Sequence, residues 1–261
     1  MFKAAPRPAK FVLLLLLLAP IQIQAEEVYD PLESVNRAIF SFNDFVDTWV
    51  LEPAAYGYRW VTTPAIRTGV RNFFINIQYP RYLISDLIQL KFDQAAVHTG
   101  RFVLNTTVGF GGVIDAADKM FEIKHHEEDI GVALGYWGVP SGAYLVLPIF
   151  GPSNVRDLFG RVGDRVSDPV FWLSYWDELS WEQQLAVSWG KSAVEAVTIR
   201  ESLIEAVDAA KEASLDYYTF VRKSYAQQRE GLIYDGHPPG VDEFGDDLEF
   251  EDDLDFDNES E

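Results

Sequence analysis

Arg101-Phe-Val-Leu-Asn-Thr-Thr-Val-Gly-Phe-Gly-Gly-Val-Ile-Asp-Ala-Ala117 opens a stretch that resumes as Glu128-Asp-Ile-Gly131 and Gly135-Tyr-Trp-Gly138. It closes as Leu147-Pro-Ile-Phe-Gly-Pro-Ser-Asn-Val-Arg-Asp157. Apolar residues predominate, yet glycines interrupt every run before it reaches the roughly 20 apolar residues that a bilayer span requires. Arg101, Asn105, Asp115, Arg156 and Asp157 lie within or beside this material, where burial is costly unless each finds a partner. The pattern suggests a chain that lies in an interface or encloses a lipid-handling cavity.

Working outward, the segments on either side read as helices. Asp30 is placed to cap a helix, with Pro31 at its first position and Glu33 at capping-box spacing. Leu32, Val35, Ile39, Phe42 and Val46 recur at helical spacing, while Asn36 and Asn43 fall on a more polar flank. Two readings of that flank stay open: a hydrated side of a core helix, or the wall of a wet cavity. Thr63-Pro64 starts a second helix, Tyr79-Pro80 punctuates before a third, and Asp93 is expected to cap a fourth running to about Thr107. Ser180 and Gln183 form a capping-box pair ahead of a long helical segment, and Ser214 is expected to open the last helix. Strand signals are poor, the best being Ala143-Tyr-Leu-Val-Leu147 before Pro148. Gly138-Val-Pro-Ser-Gly142 reads as the tip of a hairpin, and Gly131 and Gly135 have the spacing that lets helices approach closely. The fold class is mainly α.

The ends of the chain are of a different kind. Lys3, Arg7 and Lys10 precede an apolar run from Phe11 to Ala19, and Pro20 and Ala25 complete the features of an export signal. Residues 1–25 are therefore expected to be cleaved. Residues 26–240 are the size of one domain. Residues 241–261 hold twelve acidic groups and no basic one, the composition of a disordered tail. That tail accounts for much of the formal charge of −20, leaving 29 acids against 21 bases elsewhere. No basic stripe offsets this acidity, which argues against a nucleic-acid partner. The chain contains no cysteine, which excludes disulfides, thiolate metal sites and a lipidated cysteine behind the signal.

Signatures of catalysis are missing. There is no Gly-x-Ser-x-Gly elbow and no phosphate-binding loop. The run His125-His-Glu-Glu-Asp129 lacks the i,i+4 histidine spacing of a helical metal site and reads as a solvated loop. Asp164 and Asp168 interleave with Arg161 and Arg165, which suggests a salt-bridge network rather than an acid–base couple. No catalytic residue, metal or cofactor is assigned. Aromatic residues are plentiful near turns (Trp49, Tyr56, Tyr58, Trp60, Tyr136, Trp137, Trp172, Tyr175, Trp176 and Trp181), as at membrane interfaces.

The ordered motifs resemble the MlaA/VacJ family of outer-membrane proteins. The residues that carry the resemblance begin with Asp30-Pro-Leu-Glu-Ser-Val-Asn-Arg37 and Phe42-Asn43. They continue through residues 101–112 with Asp115, Glu128 to Gly131, Leu134 to Gly138, Leu147-Pro148, Gly151-Pro152, Arg156-Asp157, Asp168-Pro169 and Tyr217 to Gly231. The resemblance implies a single ring- or disc-like helical domain embedded in the inner leaflet of the outer membrane, on its periplasmic side. It implies an amphipathic channel that passes mislocalised phospholipids from the outer leaflet to a periplasmic, MlaC-like lipid carrier, with a trimeric porin as partner. It places Asn36, Phe42 and Asn43 at the channel and Gly138 and Gly142 in a gating hairpin beside it. Arg101, Asn105, Asp115, Arg156 and Asp157 are read as structural polar residues. The missing lipobox cysteine departs from the typical member and leaves retention to interfacial burial and partners. The alternative is an envelope scaffold that binds porins without passing lipid; an interfacial lipid hydrolase is motivated only by proximity to lipid.

Overall fold

Helix α1 (Glu33–Val46) turns the usual amphipathic arrangement inside out. Its apolar residues Val35, Phe42 and Phe45 are exposed, and its one fully buried residue is Asn36. The computed structural model describes residues 28–173 and 179–239. The expected signal peptide and acidic tail, and the aromatic positions Tyr175 and Trp176, lie outside the described residues.

The chain continues from α1 through a π-helical turn (Asp47–Leu51) into α2 (Glu52–Val61) without a break. There follow α3 (Pro64–Ile77), α4 (Tyr79–Gln89), α5 (Phe92–Thr107), α6 (Ala116–Phe121) and α7 (Ile130–Tyr136). A two-stranded antiparallel hairpin, β1 (Tyr144–Leu147) and β2 (Gly151–Asn154), comes next. Helices α8 (Val155–Ser167), α9 (Pro169–Leu173), α10 (Trp181–Ser202), α11 (Ile204–Ala213) and α12 (Tyr217–Ile233) complete the described chain. The fold is mainly α, as the sequence suggests.

Several local expectations hold. Thr63 caps α3 by accepting the Ile66 N–H, and Ser180 with Gln183 forms the full capping box of α10. Others need correction. No side chain caps α1, because the Asp30 carboxylate is committed to partners across the fold. Helix α5 starts at Phe92, which leaves Asp93 inside its first turn. The last helix is capped by Asp216, and Ser214 ends the helix before it. The hairpin tip is Pro148-Ile-Phe150; Gly138 to Gly142 instead connects α7 to β1. The missed strand, β2, begins Gly-Pro, a weak strand signal in isolation. Tyr144 pairs with Asn154 and Val146 with Pro152. The Tyr144 and Val146 N–H groups point away from β2, so Pro152 sits opposite a position that asks for no ladder bond.

The interior is built from small residues and charges. Among the described residues eleven hydrophobic ones are buried, Ala55, Ala95, Ala116, Ala117 and Ala133 among them, against seventeen polar or charged ones. The ordinary partition is thus reversed. Close approach replaces bulk: a Cβ on Gly160 of α8 would lie 2.4 Å from the Gly131 nitrogen of α7. The apolar cluster found among the described residues is mostly aromatic, with Tyr144, Val146 and Tyr218 at its centre and Ile39, Phe40 and Tyr225 against it. Helix α8 repeats the inversion of α1. Its Arg156, Asp157 and Gly160 face inward, while Val155, Phe159, Val162 and Val166 form an exposed stripe. No helix among the described residues is long and apolar enough to cross a membrane.

Candidate functional site

The site has two parts: an apolar rim carried by α1, α8 and the hairpin, and a polar interior that fixes them. Asn36 and Asn43, two turns apart on α1, act on the hairpin like an extra strand. Asn36 donates to the Tyr144 carbonyl at 3.0 Å and accepts the Val146 N–H at 2.9 Å. Asn43 donates to the Leu147 carbonyl at 2.9 Å and accepts the Ile149 N–H at 2.7 Å. The free edge of β1 is thereby satisfied by these side chains and, at the Tyr144 N–H, by the Tyr29 carbonyl rather than left open to another chain. Phe42, the third residue of this group, points the other way and is half-exposed. Ile149 and Phe150 at the hairpin tip are also exposed, so Asn43 anchors an apolar tip beside an apolar helix face.

Two ionic clusters hold this assembly, and a third ties α5 to α6. In the first, Asp30 accepts from Asn36 at 2.8 Å, Arg222 at 2.8 Å and Tyr218. Burial opposes its ionisation, but the hydrogen bonds from Tyr218, Arg222 and Asn36 outweigh this and keep the carboxyl below its ordinary range. In the second, Arg229 forms a bidentate pair with Asp129 (2.6 and 2.8 Å) and reaches Asp157 at 3.1 Å. Asp157 also receives Arg156 at 3.0 Å, Asn154 at 2.7 Å and Tyr225. Burial raises the Tyr225 hydroxyl, and the adjacent Asp157 charge adds to that effect. In the third, Arg101 donates to Asp115 at 2.6 Å and Asn105 to the same carboxylate at 3.0 Å. Asn105 in turn accepts the Ala117 N–H. Burial works against Asp115, yet the Asp118 N–H, Arg101 and Asn105 hold its carboxyl low.

The two glycines proposed as a gate are both in the left-handed region, Gly138 at φ 81° and Gly142 at φ 68°. They flank the connection into β1, where other residues would be strained. The run 125–129 is not solvated throughout. Glu128 is buried and accepts from Gln89 at 2.7 Å and Ser85 at 3.0 Å, and burial pushes its carboxyl up. His125 lies against Tyr82, and burial lowers it to about 4, so it is neutral at neutral pH. Beneath it His98 bonds buried Asp86 at 2.6 Å. No group of side chains among the described residues is arranged to hold a metal. The expected network on α8 is also differently wired. Asp164 accepts the Ile130 N–H at 3.0 Å, Asp168 pairs with Lys191, and Arg161 donates to the Pro152 carbonyl at 3.3 Å.

Sequence reasoning missed two clusters. Asp30, Tyr218 and Arg222 are separated by nearly the whole chain, and only the i,i+4 spacing of Tyr218 and Arg222 hints at a shared face. Arg59, Arg67 and Glu201 meet where α2, α3 and α10 converge: Glu201 receives Arg59 at 2.8 Å and Arg67 at 3.0 Å. Beside them a cleft of about 210 Å³ is lined by Pro64, Arg67, Thr68 and Arg71 of α3 and by Thr198, Glu201 and Ser202 of α10.

A family model described as MlaA lipoprotein matches residues 28–231. An intermembrane phospholipid transport system lipoprotein MlaA of Haemophilus influenzae is 34% identical over 217 residues, which is 82% of each chain. The protein of the same description from Escherichia coli K12 is 33% identical over 213 residues, 79% of each chain. An uncharacterised protein of Rickettsia bellii is 33% identical over 207 residues, covering 79% of this chain and 78% of the relative. Among solved structures, a chain from work on the structural basis for maintenance of bacterial outer membrane lipid asymmetry superposes with a TM-score of 0.66. It is 31% identical, and the match covers 78% of this chain and 98% of the other.

Proposed function

The chain belongs to the MlaA family, and from that premise we propose that it passes phospholipids out of the outer leaflet of the outer membrane. In this reading the protein lies in the inner leaflet, presenting an amphipathic path rather than a catalytic centre. The observation that carries it is the inverted partition of side chains. Helices α1 and α8 expose Val35, Phe42, Phe45, Phe159, Val162 and Val166 while burying Asn36, Arg156 and Asp157. Apolar patches of this extent are rare on proteins that live in water and are stabilised by hydrocarbon. A buried network of ion pairs is the matching interior, since lipid offers polar groups no alternative partners.

A polar path through such an interior lets a headgroup cross while acyl chains stay in the apolar rim. The hairpin carried by Asn36 and Asn43 is well placed to narrow or widen that path, with Gly138 and Gly142 as its hinges. A trimeric porin is the proposed neighbour for part of the rim, and a periplasmic carrier of the MlaC type the proposed acceptor. No covalent step is involved. The reading is tested by deleting the gene and measuring outer-leaflet phospholipid by surface-selective lipid hydrolysis. Accumulation that the intact gene reverses is expected; unchanged asymmetry in the deletion strain refutes the proposal. A porin-binding scaffold that passes no lipid predicts something different: variants that tether the hairpin to α1 through an engineered cross-link would retain full rescue.

A further inference from the structure

The cleft between α3 and α10 differs from the three ionic clusters in having a cation to spare. Arg67 spends Nε on Glu201 at 3.0 Å and Nη1 on the carbonyls of Thr62 (2.7 Å) and Arg59 (3.1 Å), which leaves Nη2 without an acceptor among the described residues. Arg71, one turn further along α3, makes no hydrogen bond or ion pair among the described residues and lines the same cleft. Among the described residues Arg59 pairs with Glu201 and Glu205, Arg67 pairs with Glu201, and Arg71 pairs with no acid, so a positive charge is left over in a chain of net charge −20. The Thr68 hydroxyl also has no partner among the described residues, whereas Thr198 and Ser202 donate to the carbonyls of Val194 and Ile199.

The size of the cleft and the proposed function together say which anion that charge would take. The cavity, about 210 Å³, is too small for acyl chains but admits a phosphate with a small alcohol attached. We propose that this cleft seats the phosphodiester of a glycerophospholipid, bound by Arg71, the free Nη2 of Arg67 and the Thr68 hydroxyl, with the acyl chains left outside the cleft. The proposal rests on the lipid-passing reading and gives it a docking point. Guanidinium suits this role because it meets two phosphate oxygens at once.

The test uses the full chain in non-ionic maltoside micelles, with arginine Nε–H NMR signals as the readout. Dihexanoylphosphatidylglycerol should bind saturably and shift the Arg67 and Arg71 signals, while dihexanoylglycerol, which lacks phosphate, should not. Arg71→Gln should weaken binding about tenfold or more, and Arg71→Lys should fall between. Because Arg71 has no partner to lose, its variants should melt like the parent, which separates binding from folding. Unchanged affinity in Arg71→Gln, or equal binding of dihexanoylglycerol, overturns the site. Inorganic phosphate displacing the lipid at equal concentration overturns the lipid as its ligand and leaves a free-phosphate site. The deletion-strain assay is independent: normal asymmetry there alongside Arg71-dependent binding would sink lipid passage while leaving the site standing.

Discussion

Replacing Asn36 by Ala should loosen the hairpin more than any other single change on α1. The Asn36 amide makes three bonds: to Asp30 at 2.8 Å, to the Tyr144 carbonyl at 3.0 Å and from the Val146 N–H at 2.9 Å. Asp30 keeps Tyr218 and Arg222 after the truncation, so it is not stranded. The Tyr144 carbonyl and the Val146 N–H are stranded, in residues that are 1% and 3% exposed. Each unsatisfied buried group costs about 1–3 kcal/mol, giving about 4 kcal/mol for the pair. At 1.4 kcal/mol per factor of ten, local opening of the hairpin should become roughly a thousandfold more frequent. Hydrogen exchange over residues 143–154, measured by mass spectrometry in micelles, reads this directly. Asn43→Ala is the control. Its partners, Leu147 and Ile149, sit by the exposed tip where water takes over, so its cost should stay near 1 kcal/mol. If Asn36→Ala exchanges no faster than the parent, or both variants loosen the hairpin equally, the clamp is not what holds β1.

Other outcomes follow from the same interior. His125, lowered to about 4 by burial, leaves the unfolded chain the better proton acceptor, so its contribution to stability is lost as pH falls from 6.5 towards 4. Asp164, raised to about 6 by burial and the nearby Asp129, has the opposite sign: its stabilising proton is lost as pH rises through 6. Asp164→Asn, which still accepts the Ile130 N–H, should therefore raise stability at pH 7 by roughly 1–3 kcal/mol and steepen the acid-side loss due to His125; melting curves from pH 4 to 8 showing no change in slope would count against it. Gly160→Ala drives a Cβ into the Gly131 backbone and should cost about 3 kcal/mol. Gly100→Ala, with nothing within 4 Å, should gain up to about 1 kcal/mol, and equal melting shifts would disprove the close helix contact. Arg222→Ala removes a partner from buried Asp30 and should cost about 3–5 kcal/mol. Arg37→Ala, from a solvent-exposed pair, should cost under about 1 kcal/mol by the same melting assay.

Helix existence was legible because caps and prolines are local signals: Thr63-Pro64 and Ser180 with Gln183 act within one turn. The orientation of α1 was not. Its periodicity reveals an apolar stripe and an Asn-bearing flank, but periodicity is silent on which face meets the protein when the surroundings are not simply water. The α1 stripe faces out, and the flank holds a strand edge. Asp30 was misread for a related reason. An Asp before a Pro and an apolar periodic run usually reads as a cap, and only tertiary contact with Tyr218 and Arg222, about 190 positions away, reassigns it. The hairpin tip moved from Gly138–Gly142 to residues 148–150 because both stretches carry turn residues, and the pairing partner that decides between them, β2, has almost no strand character of its own. The ionic residues flagged in residues 101–157 do meet partners, but Asp115, Asp129 and Asp157 are each shared by several donors, an arrangement no pairwise spacing reveals.

The π-helical turn at Asp47–Leu51 has a geometric meaning for the long arc it joins. Arg200 of α10 bonds Asp47 at 2.7 Å and Glu52 at 3.3 Å, although these residues are five apart. On a straight helix with 3.6 residues per turn, such positions diverge by roughly 140°. The turn absorbs one surplus residue and resets the angular count, so that 36, 40, 43 and 47 before it and 52, 55 and 59 after it follow the same inner track. It works as a vernier between two helical rulers. Forcing the same residues into an unbroken α-helix would keep both rulers intact yet rotate the second against the first, swinging Ala55 and Arg59 off the track that meets α10, whereas deleting one residue there would leave an ordinary helix with both on the track.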